Sequence, residues 1–475
     1  MTAASQPPAS LPLVVDLDGT LCRSDSLHEA LVRLALHKPM RFLRLVPVLA
    51  QGRAAFKQAV AAQGIAPADT LPYDETVLAT IATARAEGRP VWLVSAADAR
   101  QVEAVARHLG LFDGWQGTEV GGPNLKGAAK ADWLVAKFGA KGFDYIGDSR
   151  ADLPVWAAAR TGLAVRPAAG VPTTGLTVLE PRQSPARALL RAMRPHQWLK
   201  NLLVLMPVLA ALDLAALPAA LLGMVCFCLA ASGVYLINDL ADLDADRHHP
   251  RKSRRPFASG AAPLLPGVAL AGLLFPLALL IALLTLPPAF TLTLLVYVVA
   301  TFLYSFWIKR KIMADVVGLA ALYTLRVWAG AMATGIALSP WLLIFSMFLF
   351  FALAAMKRQA ELEDLAQQGR LAASGRNLKV VDLPAIQGMS IAGGQAAVLV
   401  FALYAMDPDI RIQHIHPEIL LLNCPVLLFW LGRLQILTRR GFMTDDPIVF
   451  AVRDRVSVLA AVVMVLVFIL SGSVT

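Results

Sequence analysis

Residues 238–260 read NDLADLDADRHHPRKSRRPFASG, directly behind the apolar run 217–237, and this stretch decides what kind of protein the chain is. Acids come first and bases after them. On a helix advancing about 100° per residue, Asn238, Asp239, Asp242 and Asp246 share an arc of roughly 100°, while Asp244 points away. Carboxylates gathered on one face repel strongly in a poorly hydrated site, so the pattern calls for divalent cations. Hard oxygen ligands favour magnesium bridging a diphosphate, and Arg247, His249, Lys252, Arg254 and Arg255 supply charge for further phosphate oxygens.

The surroundings of this stretch are those of a membrane protein. Of 475 residues, 57% are hydrophobic and 16% charged, with a mean hydropathy of +0.60, which excludes both an ordinary soluble enzyme and a disordered chain. Nine apolar segments follow one another at 202–212, 217–237, 265–286, 290–307, 312–334, 340–356, 386–406, 419–437 and 456–470. They predict an all-α integral membrane domain of nine transmembrane helices over residues 201–475. Alternate loops hold eighteen Lys and Arg, in groups beginning at Arg247, Lys309, Lys357 and Arg433, against Arg411 alone on the other side. This asymmetry predicts a cytoplasmic (inner) membrane protein with its N-terminus in the cytoplasm and its C-terminus outside. Because the net charge of +10 is concentrated in these loops, a membrane and phosphorylated substrates are the expected partners, with no nucleic acid. Residues 181–200, with RALLRAMRPHQWLKN inside them, predict a linker and a helix lying at the interface. The four cysteines are too scattered for a disulfide framework and are expected to be reduced.

Residues 11–180 have a different texture, with short apolar runs alternating with charged helical patterns, none long enough to cross a bilayer. The first ten residues lack both a charged start and an apolar core, so no signal peptide is expected. Residues 11–21, LPLVVDLDGTL, predict a buried strand delivering Asp16 and Asp18 to its C-terminal end. A second strand, 90–95, ends in Ser95. Asn124-Leu125-Lys126-Gly127 opens a helix with a cation, and YIGDS at 145–149 ends another strand in Asp148, with Asp152 a turn later. In this order the elements resemble the haloacid dehalogenase (HAD) superfamily, which implies a Rossmann-like α/β phosphatase domain. The resemblance makes Asp16 the nucleophile and Asp18 the general acid/base; Ser95 holds phosphoryl oxygens, and Lys126, or Lys130 as a second candidate, neutralises them. It places Mg²⁺ on Asp16, the Asp18 carbonyl and Asp148, supported by Asp152. Residues 23–85, helical in pattern, resemble a small helical cap suited to a phosphate on a small or protruding headgroup.

The motif NDxxDxxxD after a span is similarly the mark of the UbiA-type prenyltransferase superfamily, whose members have nine transmembrane helices. RPHQWLKN, DRHHPRKSRRP, Tyr304-Ser305 with Lys309, Lys357-Arg358 with Glu361-Leu362, and GFMTDDPIVF with Asp454-Arg455 resemble more particularly its decaprenyl-phosphate phosphoribosyltransferase branch. Where the general superfamily carries a second aspartate-rich motif, this chain offers Lys357, Arg358 and Glu361, with Glu363 and Asp364 nearby. Fewer acids and more bases suit a donor with an extra monophosphate, so the resemblance implies transfer of 5-phosphoribosyl from phosphoribosyl diphosphate to a polyprenyl phosphate. Mg²⁺ on Asp239, Asp242 and Asp246 would bind the diphosphate. Lys200, Lys309, Lys357 and Arg358 are candidates for the other phosphates; Arg326 is an intramembrane cation whose partner is a phosphate, an acid or a neighbouring helix, and Tyr304 is a ligand or an interfacial anchor. The front domain would then remove the 5-phosphate. Prenyl transfer to an aromatic acceptor is disfavoured by the absent second aspartate cluster. A lipid transporter or lipid-binding protein with a regulatory phosphatase domain is disfavoured by the lack of paired broken midplane helices.

Overall fold

The computed structural model describes residues 11–181, 183–372, 377–408, 411, 414–443 and 446–472. The first ten residues, Arg376 of the third basic loop and residues 444–445 of GFMTDDPIVF lie outside the described residues. The chain forms two compact units, one of Met1–Met193 with Tyr235–Leu270 and one of Arg194–Val234 with Ala271–Thr475. The aspartate-rich segment is thus grouped with the front domain.

The first unit is built on six parallel strands in the order β3-β2-β1-β4-β5-β6: β1 Leu13–Val15, β2 Val91–Asp98, β3 Gly114–Thr118, β4 Asp144–Gly147, β5 Gly162–Val165 and β6 Leu176–Glu180. Covered on both faces, the central strands are continuous apolar runs, and Leu13, Val14 and Val15 are fully buried. From β1 the chain builds outward through β2 and β3, then returns to the other side of β1 with β4. The strand order therefore reverses at β1, and a crevice opens at the carboxyl ends of β1 and β4, where Asp16 and Asp148 lie. Between β1 and β2 come α1 (Ser26–His37), α2 (Pro39–Leu45) and α3 (Arg53–Gln63), which close on a small apolar core of Leu31, Leu34, Leu45 and Val60. These three helices, hereafter the cap, occupy the first part of the 23–85 region expected to be helical; its last helix, Glu75–Ala86, packs instead on the sheet core through Val77, Ile81 and Ala84. Asp25 starts α1 by accepting hydrogen bonds from the amides of Leu27 and His28.

Among the described residues, seven helices are long and apolar enough to cross a membrane: Leu214–Ala241, Leu264–Thr285, Pro288–Arg310, Ala314–Thr334, Pro340–Gln367, Val380–Met406 and Pro417–Arg439. Nine segments were expected, and the first and last fall short for different reasons. Residues 202–212 divide between the 3₁₀ stretch Pro195–Leu205 and the short helix Met206–Ala211, with Pro207 entering the latter's first turn. Arg455–Leu470 is apolar throughout, but its 16 residues reach only about 24 Å, less than the hydrocarbon thickness of roughly 30 Å. In the second unit the core gathers Val316, Tyr323, Phe350, Leu353, Leu427 and Leu431. Gly330 lets helix Ala314–Thr334 approach the 3₁₀ stretch so closely that a Cβ there would lie 2.0 Å from the Val204 carbonyl oxygen.

Candidate active sites

At the carboxyl end of β1, the Asp16 side chain accepts a hydrogen bond from the Leu17 amide at 2.8 Å and lies 3.0 Å from the ammonium of Lys130. Lys130 is buried; it donates to the Tyr145 hydroxyl at 2.9 Å and is 3.6 Å from Asp152. Tyr145 in turn donates to Asp152 at 2.7 Å. Burial pulls the Lys130 pKa down, but Asp16 and Asp152 outweigh it and keep the ammonium charged. Lys126 lies before the helix, exposed on the wall of the same cavity, so it is Lys130 that reaches the nucleophile. Asp18 accepts from the Ser26 amide at 2.8 Å, and burial, followed by the charge of Asp25, pushes its pKa up to about 7. Ser95 is buried on β2 and also lines the cavity.

Gly19 has φ +79°, and a Cβ on it would meet Asp148 Oδ2 at 2.4 Å, so the glycine of DLDGT is needed both for its turn and for the acid behind it. Oxygens of Asp16, Asp148 and Asp152 all lie within 4.8 Å of one another. Burial, then repulsion from Asp16 and Asp152, pushes the Asp148 carboxyl well above the usual carboxylate range. A divalent cation fits this donor set, because hard oxygens converge and their mutual repulsion exceeds what Lys130 alone offsets.

The aspartate-rich segment keeps nearly helical register past the end of helix Leu217–Ala241. The Asp242 amide donates to the Asn238 carbonyl at 2.9 Å and the Asp246 amide to the Asp242 carbonyl at 2.8 Å. Asp239 and Asp246, both buried, converge on one atom, Arg255 Nη1, at 3.2 and 2.5 Å. Two carboxylates already meeting at a single positive centre fit a divalent cation, with Asp242 between them in sequence. Asp244 is engaged elsewhere: it pairs with Arg33 of the cap, which holds it below the usual range although burial works against this. Arg247, expected at substrate, instead meets Glu29 at 2.6 Å. His249 accepts from the Arg251 amide at 3.2 Å, and Lys252 and Arg254 are exposed.

Among the described residues of the second unit, buried polar groups gather around Asp446, Asp315 and Arg326. Asp446 Oδ2 accepts from Lys200 at 2.8 Å, Lys357 at 3.0 Å and the Tyr323 hydroxyl at 2.5 Å, while Oδ1 caps helix Pro447–Arg453 through the Ile448 amide. Asp446 was not among the site residues expected from sequence, although it lies in GFMTDDPIVF, one of the stretches that carry the family resemblance, and precedes a Pro at a helix start. In the second group Arg358 Nε is 2.6 Å from Asp315, its other nitrogens reach Glu361 at 2.7 Å and the Tyr304 hydroxyl at 2.7 Å, and Tyr304 donates to Asp315 at 2.7 Å. Three residues expected at substrate therefore bind one another around Asp315. Arg326 donates to Asn201 at 3.0 Å and to the Tyr297 hydroxyl at 2.8 Å, so its observed partners are neutral oxygens on neighbouring segments. Lys309 lies in the turn after helix Pro288–Phe306, partly buried.

Two family models match the chain: the UbiA prenyltransferase family over residues 203–451 and the haloacid dehalogenase-like hydrolases over residues 13–156. The uncharacterized protein y4nM of Sinorhizobium fredii is 38% identical over 458 residues, covering 94% of this chain and 88% of that protein. Nodulation protein NoeC of Azorhizobium caulinodans is 35% identical over 266 residues, 55% of this chain and 86% of its own. A decaprenyl-phosphate phosphoribosyltransferase of Mycolicibacterium smegmatis is 35% identical over 245 residues, 50% of this chain and 74% of its own. Fold and site together define an integral membrane transferase preceded by a hydrolase-like α/β domain. The chain belongs to the UbiA prenyltransferase family and carries a haloacid dehalogenase-like domain at its N-terminal end.

Proposed function

We propose that the membrane domain is a magnesium-dependent phosphoribosyltransferase that joins the 5-phosphoribosyl group of phosphoribosyl diphosphate to a polyprenyl phosphate, and that the front domain then removes the 5-phosphate. The observation that carries this reading is the pair Lys200 and Lys357, whose ammonium groups converge on one buried carboxylate, Asp446. Two ammonium groups on one acid leave a net positive charge in a sheltered place, suited to a monophosphate that a prenyl diphosphate does not have. Similarity to decaprenyl-phosphate phosphoribosyltransferases over half the chain supports the same reading. The topology proposed with it counts 202–212 and Arg455–Leu470 as the first and last of nine spans in a cytoplasmic membrane, with the N-terminus inside.

Magnesium, when bound, would draw charge from the leaving diphosphate. Asp239, Asp242 and Asp246 would hold it, and Arg255, already between two of them, would answer the charge of the diphosphate oxygens. The polyprenyl phosphate attacks the anomeric carbon of ribose with inversion as the bond to diphosphate breaks and diphosphate leaves with the electron pair. An ionised phosphate needs no general base. In the front domain Asp16 attacks phosphorus while Asp18 gives its proton to the departing ribose oxygen; water, losing a proton to Asp18, then hydrolyses the aspartyl phosphate. Lys130 offsets charge on the transferring group, and Asp16, the Asp18 carbonyl and Asp148, with Asp152 behind, would hold the metal. Incubating the purified protein with labelled phosphoribosyl diphosphate, Mg²⁺ and polyprenyl phosphate should yield labelled lipid; no labelled lipid, with transfer instead from a prenyl diphosphate, would refute the reading.

A further inference from the structure

The phosphatase cavity, about 480 Å³, is not closed by the cap alone: its wall includes Gly260, Ala261, Ala262, Pro263 and Leu264, which lie some 240 residues from Asp16 in sequence, just behind the aspartate-rich segment. This wall is packed against Arg23, just behind the DLDGT motif, and against Pro72. Gly260, with φ +72°, lies so close that a Cβ on it would be 2.5 Å from Arg23 Cβ. A four-residue ion network holds it there. Arg247 donates to both Glu29 oxygens at 2.6 and 3.1 Å, to the Thr70 carbonyl at 2.9 Å and to the Ala258 carbonyl at 3.1 Å, so one guanidinium joins cap helix α1 to the wall segment. Arg33, one turn beyond Glu29, binds Glu29 at 2.7 Å, the Thr70 hydroxyl at 3.0 Å and both oxygens of Asp244. The Glu29 side chain is fully buried and that of Arg247 is only 7% exposed, so these are desolvated, multiply bonded charges rather than the exposed pairs that contribute little.

Leu264, at the end of the wall, is also the first residue of the apolar helix Leu264–Thr285, one of the seven able to cross a membrane. The cavity wall therefore runs without a linker into a helix able to cross a membrane. We propose that the phosphatase site takes phosphomonoesters carried on membrane-anchored headgroups, and that residues 260–264 are its specificity wall, fixed by Glu29–Arg247 and Arg33–Asp244. The proposal rests on reading the Asp16 site as a phosphatase. It accounts for two residues outside either set of chemistry: Asp244, turned from the other aspartates, and Glu29, a buried cap acid away from the phosphate.

The test compares one headgroup in two forms, using full-length protein in nanodiscs: synthetic polyprenyl-phosphoryl 5-phosphoribose in the bilayer and ribose 5-phosphate in solution, with an aryl phosphate as a site control. Wild type should hydrolyse the lipid-borne ester with the higher kcat/KM. Glu29→Gln should cut that preference about tenfold, the scale expected when a charge-assisted hydrogen bond is lost, by lowering the lipid-borne rate while sparing or raising the soluble one. Asp244→Ala, at the more exposed end of the network, should shift the ratio in the same direction and serves if Glu29→Gln fails to fold. Equal wild-type preference, or an unchanged ratio in a folded variant, would overturn the wall. Loss of aryl phosphate hydrolysis in wild type would instead overturn the phosphatase reading beneath it.

Discussion

Lys126 and Lys130 are four residues apart, yet only Lys130 touches the nucleophile. Gly127 separates them at φ +62°, breaking the register just before helix Ala128–Phe138, so Lys126 falls outside the helix while Lys130 sits in its first turn, under Asp16. The cation was legible in the sequence, but its identity depended on a dihedral angle that no spacing reveals. Lys130→Met should lower aryl phosphate hydrolysis by about 10²- to 10³-fold, as expected on losing a preorganised charge at a transferring group, whereas Lys126→Met should cost less than about tenfold. Steady-state hydrolysis by the detergent-solubilised protein measures both, and equal losses would assign Lys126 a direct role. The aspartates allow a sharper contrast, since Asp239 and Asp246 share Arg255 while Asp244 faces Arg33. Asp242→Asn and Asp246→Asn should reduce lipid phosphoribosylation by about 10²-fold or more, and Asp244→Asn by less than about tenfold. Comparable losses at all three would show that Asp244 shares the metal-binding face.

Among the elements, strand ends are more legible in the sequence than spans. A buried parallel strand is a continuous apolar run that must end where the sheet ends, so 11–21 and 145–149 gave both the sheet and the positions of Asp16 and Asp148. A span must satisfy a length condition as well as an apolar one, and 202–212 and Arg455–Leu470 meet only the second. If both nevertheless cross, reporter fusions before Met1 and after Thr475 should lie on opposite faces, with the first in the cytoplasm; both on one face would remove a span from the proposal. Helix Pro340–Gln367 carries two adjacent bases, both expected at substrate, and turns them to different tasks. Arg358 is 1% exposed and pairs with Asp315, Glu361 and the Tyr304 hydroxyl, so removing it breaks a buried ion pair with Asp315. Arg358→Met should therefore destabilise the fold by about 3–5 kcal/mol, seen as a lower melting temperature and aggregation in detergent. Lys357→Met, with 24% of its side chain exposed, should leave melting nearly unchanged and raise KM for phosphoribosyl diphosphate. A Lys357→Met protein that melts early with unaltered KM would move that lysine into the structural group.

For the molecule as a whole, domain order and family were written in two motifs, but the grouping of residues 235–270 with the front domain was not. That grouping depends on pairs such as Glu29 with Arg247, more than two hundred residues apart, and no local periodicity records such a pair. Fusing a hydrolase-like domain to a membrane transferase raises the effective concentration of one activity around the product of the other, which matters most when that product is confined to the membrane. If the two activities act in sequence, wild-type protein supplied with phosphoribosyl diphosphate, Mg²⁺ and polyprenyl phosphate should accumulate polyprenyl-phosphoryl ribose and release inorganic phosphate. Asp16→Asn should accumulate the 5-phosphorylated lipid instead, at an undiminished rate of transfer. An amide is nearly isosteric with the carboxylate, so the domain should still fold, but it cannot take up the phosphoryl group. Lipid extraction and mass spectrometry distinguish the two products by one phosphate. A wild-type product that keeps its 5-phosphate while the same preparation hydrolyses an aryl phosphate would mean that the two activities are joined in one chain without acting in sequence.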